Sequence, residues 1–255
     1  MNNPNNLYEH LQQIVGGKNA NINILQEKID VTLQVEYFKK AKSVKKNIDK
    51  NFDYLSEVEK LYNPEVDFDT KITLICQLAS FDKVDYYRAL EKFSELAEEE
   101  IKPWVVLALQ ESRMLIESSL LEEKQLFIST GLGGKGTNLR YFVVLISTTK
   151  EPYTITQQNL IAKEFSFSLN ANGGELEEIE FDDKFAKITC LLPIQKPIQD
   201  ILNKTTRECN TFGDFIQKNI LITNVKKMTT VEIKEFLNAP PKESGYEISL
   251  DADDE

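Results

Sequence analysis

Histidine is nearly absent and sulfur is scarce: the chain has 1 His and 3 Cys in 255 residues. His10 falls in an Asn-rich leader, so a Ser-His or Cys-His pair cannot be assembled inside a core, and acid–base work would fall to Asp, Glu, Lys or Cys. Cys76, Cys190 and Cys209 have neither Cys-x-x-Cys spacing nor histidine neighbours. That excludes a zinc framework and, with an odd count, a disulfide framework; reduced, buried thiols are the expectation. No metal and no cofactor is predicted. Long apolar runs are missing too. The longest, Tyr141 to Ile146, falls well short of the ~20 residues of a membrane helix. The Met1-Asn-Asn-Pro-Asn-Asn start lacks a basic n-region and an apolar h-region, so no signal peptide is expected and the predicted location is cytoplasmic, with no membrane contact.

Positive charge is in deficit, 30 Lys and Arg against 41 Asp and Glu for a net −11. This excludes a surface built mainly to hold phosphate backbones. The positive charge present is unevenly placed: Lys39, Lys40, Lys42, Lys45, Lys46 and Lys50 crowd one stretch. With 41% hydrophobic residues there is enough to fill a core, and global disorder is excluded.

Residues 1–20 read as a flexible leader and 239–255 as a disordered acidic tail, with Glu243, Glu247, Asp251, Asp253, Asp254 and Glu255. Between them the pattern divides at position 125. From Ile22 to Leu61 the apolar residues Ile22, Leu25, Ile29, Phe38, Ala41, Val44, Ile48, Phe52, Leu55, Val58 and Leu61 recur in steps of three or four. The spacing predicts one long helix, or two with a break near Asn47–Asn51. A helix capped by Asp67 or Asp69 runs to Ser80, a second buries Val84, Tyr87, Leu90 and Phe93, and a third opens at Pro103 and runs to about Glu123. The block 67–123 resembles HEAT-like helical hairpins; a small bundle is the alternative, because a solenoid needs about three repeats.

After Gln125 the residues turn β-branched and aromatic. Leu126–Thr130 and Leu139–Ser147 read as a strand pair, Thr154–Leu169 as a helix, and 175–181 with 185–192 as a second pair. Pro197 opens a helix to about Phe212, and a strand over 220–225 precedes a helix over 229–237. The expected fold is therefore α+β. A helical domain (21–124) precedes an antiparallel-sheet domain (125–238) in the order ββα-ββα-βα, with helices on one face of the sheet.

Two clusters carry the site candidates. Gly131, Gly133, Gly134 and Gly136, with Lys135 and Arg140, form a glycine-rich loop. Gly131, Gly133 and Gly136 match G-x-G-x-x-G literally, but a strand follows where the dinucleotide motif needs a helix N-terminus. A looser anion nest, or a mobile hairpin tip, remains. The second cluster is Lys39, Lys40, Lys42, Lys45 and Lys46, a solvated helix face or a contact for RNA or another polyanion. Glu111, Arg113 and Glu117 on one helix suggest an Arg113–Glu117 ion pair. Arg207, Glu208, Cys209 and Asn210, with Glu164 within reach, form a further polar group with no nucleophile setting beyond Arg207.

The stretches Ala108–Leu115, Ile128–Gly136 and Leu139–Phe142, with Glu208-Cys-Asn210 and Thr223-Asn-Val225, resemble the core of an uncharacterised bacterial protein family over about residues 65–237. The resemblance implies no reaction. The layout is also similar to secretion-chaperone-like folds, which are acidic and lay helices over an antiparallel sheet. A non-catalytic protein-interaction module, adaptor or chaperone-like, is the leading expectation. The alternatives are binding or turnover of a phosphorylated small molecule at the glycine loop, and RNA or ribonucleoprotein association through the lysine helix.

Overall fold

The computed structural model describes residues 21–121 and 125–238. The expected leader with His10 and the expected acidic tail lie outside the described residues. The architecture is α+β, helices first and then an antiparallel sheet.

Helix α1 (Val31–Asn47) starts where the Asp30 carboxylate accepts the Thr32 N–H, satisfying one orphan donor of the first turn. The chain leaves the helix at the expected break, makes a 3-10 turn at Tyr54–Glu57, and continues through the short α2 (Glu59–Tyr62). Helices α3 (Phe68–Ala79), α4 (Val84–Ser94) and α5 (Lys102–Leu121) follow. Asp67 is the α3 cap, accepting the Thr70 N–H at 2.9 Å. Each of α3, α4 and α5 packs against the other two, which makes a bundle rather than a row of repeats. Tyr37, Ile75, Cys76, Leu78, Leu90, Val105 and Ala108 form its core.

The helical reading of residues 22–29 is corrected. Asn21–Ile24 is strand β1, paired in parallel with β2 (Gln125–Ile128), Ile22 beside Leu126 and Ile24 beside Ile128. Asn-Ile-Asn-Ile alternates with period two, which places both isoleucines on one face. A parallel pair needs a long crossover, and the α1–α5 stretch is that crossover. Leu25 and Ile29 are buried in non-helical chain between β1 and α1. The expected domain boundary at 125 is thus spanned by hydrogen bonds: the helical stretch is held to the sheet half at both of its ends. Ile24 packs with Leu139 and Ile194, and Ile22, Leu126, Ile128 and Tyr141 pack around them.

The second sheet contains β3 (Gly134–Lys135), β4 (Asn138–Ile146), β5 (Glu175–Asp182), β6 (Phe185–Pro193) and β7 (Leu221–Thr223). Its order is β3-β4-β6-β5 with β7 beside β4, all antiparallel. The expected hairpin between 126–130 and 139–147 does not form: β2 is taken by β1, and β4 turns back on the two-residue β3 instead. The second expected hairpin, β5–β6, is present across Asp182–Lys184. Helix α6 (Ile155–Ala171) starts in a capping box of Thr154 and Gln157, and α7 (Ile198–Asn210) follows Pro197. Both cover the face that carries Val143, Leu145, Ile188 and Cys190. The opposite face is not bare, as one-sided helices would leave it. Ile233 of α8 (Thr230–Asn238) packs there with Leu132, Phe142, Val144, Ile146 and Phe185.

Candidate functional site

The glycine loop is a packing joint. A Cβ on Gly131 would stand 1.8 Å from the Val225 carbonyl oxygen. One on Gly133 would stand 2.4 Å from the Glu27 carbonyl oxygen, and Gly133 also has φ +65°, a conformation that costs an L-residue about 1–2 kcal/mol. Three segments of chain therefore meet at the loop: 26–27 after β1, the loop itself, and 224–225 after β7. Three of its N–H groups are in use. Leu132 donates to the Asn224 carbonyl, Gly133 to the Thr130 carbonyl and Gly136 to the Gln26 side-chain oxygen. An anion would find carbonyl oxygens at the crowded glycines instead of a ring of donors.

The two cations of this loop are also engaged. Lys135 pairs with Glu175 at 3.1 Å. Arg140 grips Glu177 with two bonds, at 2.5 and 2.8 Å, and donates a third to the Leu132 carbonyl at 2.8 Å. This fork–fork geometry is the strong form of a carboxylate–guanidinium contact. It holds the Glu177 carboxyl below its ordinary range, the Arg140 hydrogen bond being the main cause, and raises Arg140. Gly131, Gly133, Gly134, Lys135, Gly136 and Arg140 thus serve to join the β1 segment, β4 and β5.

The lysine cluster on α1 divides. Lys40 pairs with Asp69 at 2.8 Å and Lys45 with Glu111 at 2.5 Å. Glu111 also accepts the Tyr37 hydroxyl at 2.5 Å. Tyr37 is fully buried, and burial first, then the Glu111 charge, pushes its pKa well up. These contacts clamp α1 to α3 and α5. Lys39, Lys42 and Lys46 are exposed.

Beside those three lies a feature the sequence reading missed. Phe38, assigned to the buried stripe, is 42% exposed, because Tyr37 takes the interior position one turn before Ala41. Val31 and Val35 are also exposed, at 37% and 45%. At 3.6 residues per turn, Val31, Val35, Phe38, Lys39, Lys42 and Lys46 occupy one arc of about 100°. The flank is apolar over its first two turns and cationic over its last two. It begins beside the glycine loop, where a Cβ on Gly131 would stand 3.1 Å from the Val31 side chain. The steps 31, 35 and 38 were visible in the sequence, but Phe38 and Tyr37 fit the inner spacing equally well.

The remaining candidates scatter. Arg113 donates to the Tyr87 hydroxyl at 2.9 Å instead of making the expected Glu117 pair, and Glu117 accepts from Asn23. Glu164 approaches Cys209, as expected, on the side of the sheet covered by α6 and α7. Burial, reinforced by Glu164, pushes the Cys209 thiol up to about 12, and burial does the same to Cys76 and Cys190. All three are protonated, poor nucleophiles. Among the described residues no group of three or more His, Cys, Asp or Glu could hold a metal ion, and no helix is long and apolar enough to cross a membrane.

No protein-family model and no curated protein matches the chain. A solved structure from Deinococcus radiodurans, provisionally called a transposase, is 14% identical, with a TM-score of 0.34 over 41% of this chain and 92% of that one. That alignment is too loose to carry fold or activity from one to the other.

Proposed function

We propose that the protein is a non-catalytic interaction module that docks a partner protein along the exposed flank of α1. The observation that carries this reading is the flank itself. Val31, Val35 and Phe38 sit at i, i+4 and i+7, the spacing of helix anchors in helix-and-groove recognition, and Lys39, Lys42 and Lys46 extend the same arc. The partner segment that fits is short, apolar at one end and acidic at the other. The buried, protonated thiols and the internally satisfied glycine loop support a binding role over a chemical one. RNA is the weaker fit: a single-strand platform stacks successive bases on several aromatic rings, and the flank offers Phe38 alone.

A photo-crosslinking residue placed at position 35 or 38 of the full-length chain, with nuclease treatment before analysis, tests the reading. The expected result is one protein adduct from both positions, absent from a control position such as Glu91 and lost in Lys39→Glu/Lys46→Glu. A nucleic-acid adduct, or no adduct from either position, refutes it.

A further inference from the structure

We infer that the acidic segment 246–255 of the same chain binds the α1 flank and competes with the partner. The inference rests on the docking reading above and names a second occupant for the same face. Its first support is matched order of chemistry. The segment reads Tyr246-Glu-Ile-Ser-Leu-Asp-Ala-Asp-Asp-Glu255, with apolar residues alternating at 246, 248 and 250, one acid (Glu247) between them, and four of its five acids at 251, 253, 254 and 255. The flank reads apolar at 31, 35 and 38 and basic at 39, 42 and 46. Laid side by side in the same direction, Tyr246, Ile248 and Leu250 meet Val31, Val35 and Phe38, and the four acids meet the lysines.

The second support is reach. Val225 and Val31 both abut Gly131, so the chain entering α8 starts beside the head of the flank. Five extended residues and a nine-residue helix place Asn238 within about 30–35 Å of Val31. The 17 residues from Ala239 to Glu255 span up to about 57 Å, while the flank from Val31 to Lys46 is about 22 Å long. With Tyr246 set on Val31, the eight steps from Asn238 to Tyr246 supply up to about 28 Å, so the register holds with Asn238 inside that radius of Val31. Tethering supplies an effective concentration on the order of mM, which lets a weak contact compete with a free partner. Because exposed charge pairs are screened within about 3 Å at 1 M salt, the ionic half of the contact is salt-sensitive.

The test uses the full-length chain carrying Ser249→Cys and a nitroxide label. Cys76, Cys190 and Cys209 are all buried, so the new thiol takes the label selectively. In the amide spectrum of the labelled protein, the resonances of Val35, Phe38, Lys39 and Lys46 are expected to lose several-fold more intensity than those of α6 and α7. The loss should reverse in 1 M NaCl and disappear in Lys39→Glu/Lys46→Glu. Uniform broadening, or none at α1, overturns the inference. So does equal broadening in a mixture of isotope-labelled and spin-labelled copies, which would place the contact between molecules. Asp251→Asn/Asp253→Asn/Asp254→Asn should raise the partner crosslink from position 38 several-fold. A crosslink with no selective broadening leaves the docking reading standing without this inference; broadening with no crosslink leaves a face that serves only its own chain.

Discussion

The glycine loop and the lysine helix drew attention for the same reason, an excess of residues that bind things, and the fold treats them oppositely. At the loop, Lys135 and Arg140 meet Glu175 and Glu177 of β5, and Gly131 and Gly133 are pressed against backbone carbonyls. On α1 the fold takes Lys40 and Lys45 for the clamps to α3 and α5 and leaves the side chains of Val31, Val35, Phe38, Lys39 and Lys46 exposed. The difference teaches that density of chemistry along a chain marks where segments converge, and only exposure separates convergence on self from readiness for another molecule.

The sharpest way to break that contrast is at the glycines. Gly133→Ala faces a left-handed φ and a carbonyl 2.4 Å away, and should cost more than about 3 kcal/mol or prevent folding. Gly136→Ala, with the same sign of φ but open space around it, should cost about 1 kcal/mol. Thermal denaturation ranks the two; equal, mild losses would show that the 26–27 segment is not seated on the loop. Next in size is the Arg140–Glu177 fork, where Arg140→Met should cost about 1–2 kcal/mol by removing a two-bond charged contact and the donor to the Leu132 carbonyl. Because the folded-state pKa of Glu177 is depressed, its contribution is complete above the ordinary Glu range and fades as pH falls through the depressed value. Denaturant melts between pH 2 and 6 should therefore show less acid sensitivity in Glu177→Gln than in the parent. Smallest in stability are Phe38→Ser and Lys46→Gln, each expected within about 0.5 kcal/mol of the parent by the same melts. A large loss there would mean that α1 is packed on the side described as open.

Local signals served at helix starts and at one hairpin, although the i, i+4 pair Arg113–Glu117 did not form and Tyr37 and Tyr86 took inner positions expected of Phe38 and Tyr87. Asp67, Thr154 and Pro197 mark helix starts where expected, and the β5–β6 hairpin closes across Asp182–Lys184. The other failures cluster where the partner is remote. Ile22 and Ile24 fit a helical stripe and a strand equally well, and only Leu126 and Ile128, about a hundred residues on, decide between them. Leu126–Ile128 in turn looks like the hairpin mate of β4 until β1 is present to claim it. The glycines were legible as special, but the carbonyls that require them belong to Gln26, Glu27 and Val225, which no local window contains.

The parallel β1–β2 pair has a kinetic consequence. Joining its ends closes a circuit of about a hundred residues, an entropic cost that grows slowly with length but is met before any reward arrives. The β5–β6 hairpin and the helices need no such closure. During refolding the bundle and the β5–β6 hairpin can each take shape on local contacts, while the amides of Ile22 and Ile24 wait for β2 to arrive. Hydrogen exchange checks this order: the amides of Ile22 and Ile24 are expected to exchange ahead of those of β4 and β6.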